Sequence, residues 1–438
     1  MTVITNNLDG EKITKIAILG TGFGGVHAAL QLKKIRRKLP KSHTIQVDLI
    51  SRTDYFWLVT MAHEIATGNL LPHDVSQPIR SLPVAVYDNF IQANITQINA
   101  KSNEVTMNLI DVVDDNLPGT ITKKYDYIIS SLGAETFFFG VEGAREHSLS
   151  LKTMADVKRI KNRLMQSFED AELLDDVSQI VSLLHFVIVG GGPTGVEIAG
   201  EIADLIHGPL RKRFLRVIKY ASITIIHGSG RLGVPGYEWM SSELESILID
   251  DFGVKVDCNS FVTKVTPEGV YVGEKFYSSK NVIWSGGVKA SGVAIVSSNS
   301  VERTKSGRVL MCSDLSLQGN KNLFIIGDQA SIPDGEGGDY PMRAQFAVRQ
   351  GRHAVKNIIS DLLNQPRQDF EYYDKGVIIS LGSGKALASV FGLRFSGWFA
   401  YWLYRTAYLP QIVGLRPKVK TVVTWTLNLF TSRDLSKL

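Results

Sequence analysis

Cysteine is almost missing from this chain of 438 residues: Cys258 and Cys312 stand far apart and form no Cys-x-x-Cys pair. That excludes a disulfide framework and a cysteine-rich metal site, and it fits a reducing compartment. Long apolar runs are missing too. In the C-terminal region, ten uncharged residues separate Arg394 from Arg405 and twelve separate Lys420 from Arg433. A bilayer span needs roughly 20. Met1 to Lys15 is polar with no apolar core, so no secretory signal is expected. Acids are scarce in the C-terminal region. Residues 376–438 carry eight Lys and Arg against one acid, Asp434, so the tail accounts for more than the whole net charge of +5. The basicity is therefore not a nucleic-acid-binding surface, and no nucleic-acid partner is expected. No low-complexity segment occurs.

What is present is a repeated turn. Gly20-Thr21-Gly22-Phe23-Gly24-Gly25 directly follows the apolar run Ile16 to Leu19. Gly190-Gly191-Gly192-Pro193-Thr194-Gly195 directly follows Phe186 to Val189. Each pattern reads strand, tight turn, helix. The first glycine makes the turn, the second lets backbone N–H groups approach a pyrophosphate, and the third lets the helix pack on the strand. The helix N-terminus then faces the phosphates. One such motif is weak evidence; two predict two dinucleotides, and electrons passing between them.

Around these turns, Ile45 to Ile50 is predicted as a second strand and 91–130 as an antiparallel excursion with an acidic loop, Asp111 to Asp115. Tyr127 to Leu132 reads as a buried strand ending at Gly133. Residues 152–183 read as helical, and a helix is expected from about Arg343 to Leu363. The basic run Lys33 to Lys38 reads as the solvated end of the first helix.

Both nucleotide units lack the acid that ends the second strand and binds the adenosine ribose. Ser51 stands there in the first unit, beside Arg52. Asp48 is three residues back, roughly 10 Å along a strand, while Asp54 in the next loop is a substitute. His227 stands there in the second unit, with Arg231 four residues later. An acid would repel the 2′-phosphate of NADP and a neutral histidine does not. Two readings stay open: His227 replaces one ribose hydrogen bond and NADH is preferred, or NADPH is also used.

Late in the chain an apolar strand ends in Gly327-Asp328. Alone that dipeptide is ordinary turn chemistry. Combined with Gly20–Gly25 it matches a flavoprotein pattern. With His63-Glu64-Ile65-Ala66-Thr67-Gly68, the stretch Leu132 to Gly140, Leu151-Lys152-Thr153, GGGPTGVEIAGE at 190–201 and Ile283-Trp284-Ser285-Gly286-Gly287-Val288, the sequence resembles the type II NADH:quinone oxidoreductases. The resemblance covers nearly the whole chain.

It implies an α/β fold of two Rossmann-like dinucleotide-binding domains in a glutathione-reductase-like arrangement, plus a C-terminal amphipathic membrane-associating region. The expected boundaries are 13–150 with 290–370 for FAD, 151–289 for NAD(P)H and 371–438 for the membrane region. FAD is expected on Gly20, Gly22, Phe23, Gly24 and Gly25, with Ser51 and Arg52 at the ribose, Ile95 at the adenine, Gly133 nearby, and Gly327 and Asp328 at the ribityl–phosphate arm. NAD(P)H is expected on Gly190, Gly192, Thr194 and Gly195, with His227 and Gly287. Glu197 matches a family glutamate near the nicotinamide–flavin contact; the plain alternative is an acid favoured by the helix dipole. Ala344, Gln345 and Arg349 match a quinone-side motif, with Arg349 where the family has a second glutamine and Gln350 about 100° further round the helix. Lys385 matches a family lysine near flavin and quinone.

The partners implied are a membrane quinone, an anionic lipid surface met by the aromatic, basic tail, and a second copy of the chain. A peripheral protein on the cytoplasmic face of the cell membrane is expected from the lack of a signal, and electron transfer without proton pumping from the lack of a visible transmembrane path. A sulfide:quinone oxidoreductase is the first alternative, although it needs paired redox cysteines. An apoptosis-inducing-factor-like membrane flavoprotein with a sensing role is the second.

Overall fold

Unbroken apolar runs fold here as parallel strands covered on both faces. In the computed structural model, which describes residues 12–36, 39–40, 43–83, 86–114, 116–335, 337–382 and 384–438, Ile16 to Leu19 have no solvent exposure at all. The first eleven residues of the polar N-terminal stretch, Arg37 and Lys38 of the basic run, Asp115 of the acidic loop and Ser383 lie outside the described residues. The chain divides into two units: 1–57 with 77–135 and 288–373, and 58–76 with 136–287 and 374–438.

In the first unit, strand Lys12–Leu19 lies between His43–Ser51 and Tyr127–Ser130, both parallel to it. Asn320–Ile325 adds on one side and Asn89–Asn99 on the other, again parallel. Beyond Asn89–Asn99 the sheet continues antiparallel through Glu104–Leu109 and Thr120–Lys124. That is the antiparallel excursion expected for 91–130. Helix Phe23–Arg36 packs along helix Ala344–Leu362. Gly351 permits the contact, since a Cβ there would lie 2.3 Å from the Gly24 carbonyl oxygen.

In the second unit the parallel order is Leu149–Ser150, Asn281–Trp284, His185–Val189, Ser222–His227, Lys255–Cys258. The glycine-turn helix is Pro193–His207, and Met154–Leu173 is the long helix, capped by Thr153 and Asp156 in a reciprocal box. Three antiparallel strands, Gly376–Ser380, Ala386–Val390 and Leu393–Ser396, lead into helices Gly397–Tyr408 and Leu415–Leu427. Segments 58–76, 136–150 and 374–438 thus belong to this unit, where the expected boundaries put 58–76 and 136–150 with the first domain and 371–438 apart. Among the described residues no helix is long and apolar enough to cross a membrane.

Candidate functional site: two dinucleotide turns and a buried carboxyl chamber

The two glycine turns have one local geometry. Gly20 and Gly190 have φ of +96° and +106°, a region that favours glycine. Their N–H groups donate to Ile50 O at 2.7 Å and Ile226 O at 2.8 Å. A Cβ on Gly25 would lie 1.9 Å from Gly20 O, and one on Gly195 would lie 1.9 Å from Gly190 O. Around Gly22 and Gly192, by contrast, a Cβ would meet nothing within 4 Å. Each helix starts at the residue after that glycine, Phe23 or Pro193. Both turns therefore keep open space over a helix N-terminus, where a pyrophosphate fits. Phe23 packs edge-on against Phe56, and Thr194 is exposed at its helix start.

The missing acids are resolved differently. Ser51 Oγ shares a 2.8 Å hydrogen bond with Thr21 Oγ1 inside the first turn, and Arg52 is exposed beside it. Asp48 is no substitute: it is buried and accepts hydrogen bonds from Asn89, Lys123 and Tyr125. Asp54 pairs with Arg80 at 3.1 Å. In the second unit, His227 Nδ1 accepts from Gly191 N–H at 3.1 Å. Burial lowers its pKa, opposed by a bond to the Arg231 backbone, so the ring is neutral at pH 7. Arg231 is itself held by Ser242 at 2.9 Å and lies 3.9 Å from Glu245.

In the first unit the late turn is tied in by two glutamines. Gln350 Oε1 accepts from Gly327 N–H at 2.7 Å, and Gln329 Oε1 accepts from Ser130 Oγ and Leu132 N–H, both at 2.8 Å. Gln350 is thus a buried support for Gly327-Asp328. Gly133 has a φ of +70° and receives the Ser291 N–H. Ile95 stands three residues past Gln92, the last residue of its strand paired with His43–Ser51. Gln345 Oε1 accepts from Tyr372 OH at 3.4 Å, and Arg349 lies over the same tyrosine ring at 5.5 Å, with Ala344 opening the helix.

In the second unit, Gly287 sits against the Phe139 ring, where a Cβ would be 2.7 Å away. Lys385 pairs with Asp251 at 2.5 Å and covers the Phe252 ring, so its charge is already countered.

Glu197 is the largest departure. It lies past the first turn of helix Pro193–His207, which contains no acid, so the helix-dipole alternative fails on position. Burial pushes its carboxyl well above the ordinary value, a Ser380 N–H opposes, and Glu64 and Glu201 push it further. Burial and the neighbouring carboxylates thus favour its protonated form. His63 Nδ1 stands 3.6 Å away. His63 Nε2 lies 3.2 Å from Tyr404 OH, which donates to Glu64 Oε1 at 2.9 Å. Trp425 Nε1 and Asn69 Nδ2 donate to Glu64 Oε2, each at 3.1 Å. Burial lowers the His63 pKa to about 3, and Arg433 adds to this.

This chamber was legible only in part. Glu197 and the blocks His63 to Gly68 and Gly190 to Glu201 were marked by the resemblance; the partners Tyr404, Trp425 and Arg433 come from the far tail. Gln329 carried no signal at all.

Residues 14–351 match the model of the pyridine nucleotide-disulphide oxidoreductase family. The type II NADH:quinone oxidoreductase Ndh of Mycobacterium tuberculosis is 27% identical over 429 residues, spanning 96% of this chain and 89% of that protein. Among solved structures, NDH2 from Plasmodium falciparum in complex with NADH superposes with a TM-score of 0.86 at 19% identity, over 97% of this chain and 100% of that one. The sulfide:quinone oxidoreductase of Aquifex aeolicus reaches 0.70 at 18% identity, over 96% of this chain and 93% of that one. Two turns of one geometry, each opening a helix from a parallel sheet, and a family match across most of the sequence lead to one conclusion: the chain belongs to the pyridine nucleotide-disulphide oxidoreductases.

Proposed function

We propose that this chain is an FAD-dependent type II NADH:quinone oxidoreductase. The observation that carries the reading is the pair of matched turns, each with open space over its second glycine, in a chain similar to such enzymes along nearly all its length. FAD, when bound, would accept a hydride equivalent from the nicotinamide and pass two electrons to a quinone. The backbone N–H groups of Gly22 to Gly24 would hold its pyrophosphate, and Asp328 its ribityl–phosphate arm. The turn Gly190–Gly195 would hold the nicotinamide cofactor, Glu197 would keep a proton beside its reacting end, and Gln345 and Arg349 would bind the quinone oxygens.

NADH is the proposed donor. Arg231 is already anchored by Ser242, leaving no committed cation for a 2′-phosphate. His227 is braced on Gly191 and contributes no charge in either direction.

The protein docks on an anionic lipid surface through its last two helices. They are built inside out: Tyr401, Tyr404, Thr421 and Trp425 are buried, while Trp398 is 70% and Phe430, just past the second helix, 84% exposed. Trp402, Val419 and Val423 lie on the exposed side as well. Lys and Arg beside such a face favour anionic headgroups.

The sulfide reading is weaker. Burial and the charges of Glu245 and Asp257 raise the Cys258 pKa, the opposite of what a reactive thiolate needs.

The test is anaerobic. Purified holoprotein is mixed with NADH, NADPH or sulfide in turn, and flavin absorbance is followed before and after adding a quinone. Bleaching by NADH and reoxidation by quinone are expected. Bleaching by sulfide alone, or by nothing, overturns the proposal; bleaching by NADH without quinone reoxidation moves it to a sensing flavoprotein.

A further inference from the structure

The last six residues lie along the second unit as a strap. Leu438 N–H donates to Asn162 Oδ1 at 2.6 Å, and Asn162 Nδ2 donates to Leu438 O at 2.8 Å. Lys437 pairs with Glu169 on the same helix. Asp434 N–H donates to Gly68 O at 3.1 Å, and its carboxylate lies 3.4 Å from the buried Lys161 ammonium. Gly68 has to be glycine for this approach: its φ is +73°, and a Cβ would lie 2.0 Å from Asp434 O.

One strap side chain leaves the surface. Arg433, 7% exposed, enters the carboxyl chamber. Its Nη1 donates to Glu201 Oε2 at 2.7 Å, and its Nη2 pairs with Asp204. Thr67 Oγ1 also donates to Glu201 Oε2, at 3.0 Å. Glu201 Oε1 is buried with no hydrogen-bond partner among the described residues. The charged and titratable groups around it are Glu197 and Asp204 on its own helix, His63 and Glu64 on helix Ala62–Ala66, and Tyr401, Tyr404 and Arg405 on helix Gly397–Tyr408. Three buried glutamates cannot all be ionised without cations beside them.

We propose that Arg433 is a positioning residue for this chamber: delivered by the terminal strap, its charge favours the ionised form of Glu201 and so biases the chamber's proton toward Glu197. The assignment of Glu197 to the reacting end of the nicotinamide rests on the function proposed above; the Arg433–Glu201 geometry does not.

The electrostatics agree with the contacts. Burial raises the Glu201 pKa to about 7, and Arg433 is the largest influence holding it down. The charges of Glu64 and Glu201 in turn push Glu197 higher. Without the guanidinium, Glu201 competes for the proton that Glu197 now holds.

The experiment uses full-length holoprotein and two readouts. One is an infrared pH titration of buried carboxyl bands, with Glu201→Gln identifying the Glu201 band. The other is the pH profile of NADH–quinone turnover. Arg433→Gln is expected to move the Glu201 midpoint, and the matching limb of the profile, up by about one pH unit or more, a tenfold change in proton affinity. Arg433→Lys keeps a charge and restores most of the shift. Deleting Ser436 to Leu438 loosens the strap that delivers Arg433, and is expected to move the midpoint the same way by a smaller amount. An unmoved midpoint in folded Arg433→Gln, or a midpoint that the deletion leaves in place, overturns the proposal. If Arg433→Gln does not fold, Glu201→Gln decides alone: the limb near pH 7 disappears, or the proposal falls. The infrared titration needs no turnover, so it still reads Arg433 if the protein proves not to reduce quinones.

Discussion

At the first glycine turn the residue in the ribose-acid position bonds inside its own turn, Ser51 to Thr21; at the second, His227 takes up a backbone N–H of the turn itself. The turns are otherwise alike in φ, in strand hydrogen bond and in the close approach of the third glycine to the first. Local chemistry therefore makes a nucleotide cradle twice, and the surroundings decide what each cradle serves. The first is completed by a late Gly-Asp turn that Gln350 and Gln329 hold in place. The second opens a helix whose next turns carry Glu197 and Glu201 into a chamber closed by the tail.

The strongest test of that likeness is at the glycines. Gly25→Ala and Gly195→Ala should each prevent their turn from closing, at a cost of about 3 kcal/mol or more, seen as lost soluble protein or a large drop in Tm. Gly22→Ala and Gly192→Ala should leave the apo-protein's Tm nearly unchanged. The first should lose flavin absorbance, while the second keeps flavin and raises the NADH KM about tenfold or more. Flavin loss from Gly192→Ala instead would reverse the assignment of the two cradles.

The tail separates the units further. Replacing Trp398, Trp402 and Phe430 together by serine should reduce partition onto anionic vesicles about a hundredfold, while melting and NADH-driven flavin bleaching stay intact. A tail truncation cannot make this test, because Tyr404, Trp425 and Arg433 are buried parts of the second unit. Unchanged sedimentation with vesicles would remove the lipid surface from the proposed function.

Acid and alkali should act differently on the two units. His27 in the first unit is lowered to about 4 by burial, with the Phe23 carbonyl opposing and Arg352 and Arg349 adding. His63 in the second is lowered to about 3. Each binds a proton more readily when unfolded, so the stability it contributes is lost as pH falls from 6.5 toward those values. Glu201 has the opposite sign. Raised from 4.5 to about 7, its folded form holds the proton longer, so that contribution is lost as pH rises through this range. Glu201→Gln should therefore flatten the decline in stability of the second unit between pH 5 and 7, measured by denaturant melts, and leave the first unit's acid limb alone. A decline that persists in the variant would assign it to another group.

The smallest expected effect concerns nucleotide choice. His227→Glu should lower kcat/KM for NADPH about tenfold, by repulsion of the 2′-phosphate, and change that for NADH less than about threefold. Arg231→Ala should barely alter the ratio, given its anchor at Ser242. A collapse of NADPH turnover in Arg231→Ala would show that this arginine swings to the phosphate.

Both cradles were legible because the cause is local: an apolar strand, a glycine that must take positive φ, and a helix start occur within about ten residues. The parallel strands and the antiparallel excursion followed for the same reason, from short-range apolar patterning. The roles of single polar residues were not legible. Asp48 binds Asn89, Lys123 and Tyr125, and Gln350 reaches Gly327 across 23 positions. Glu197 sits past the first helical turn, out of reach of the dipole reading, where burial and neighbouring charges favour its protonated form.

The sequence by itself determined that two dinucleotide turns exist, that cysteine chemistry is not the basis of the fold, and that the basic aromatic tail cannot span a bilayer. The tertiary structure decided where the charges are held. A buried carboxyl takes its state from partners that stand hundreds of residues away, as Glu201 does from Arg433, and no spacing along the chain records that proximity.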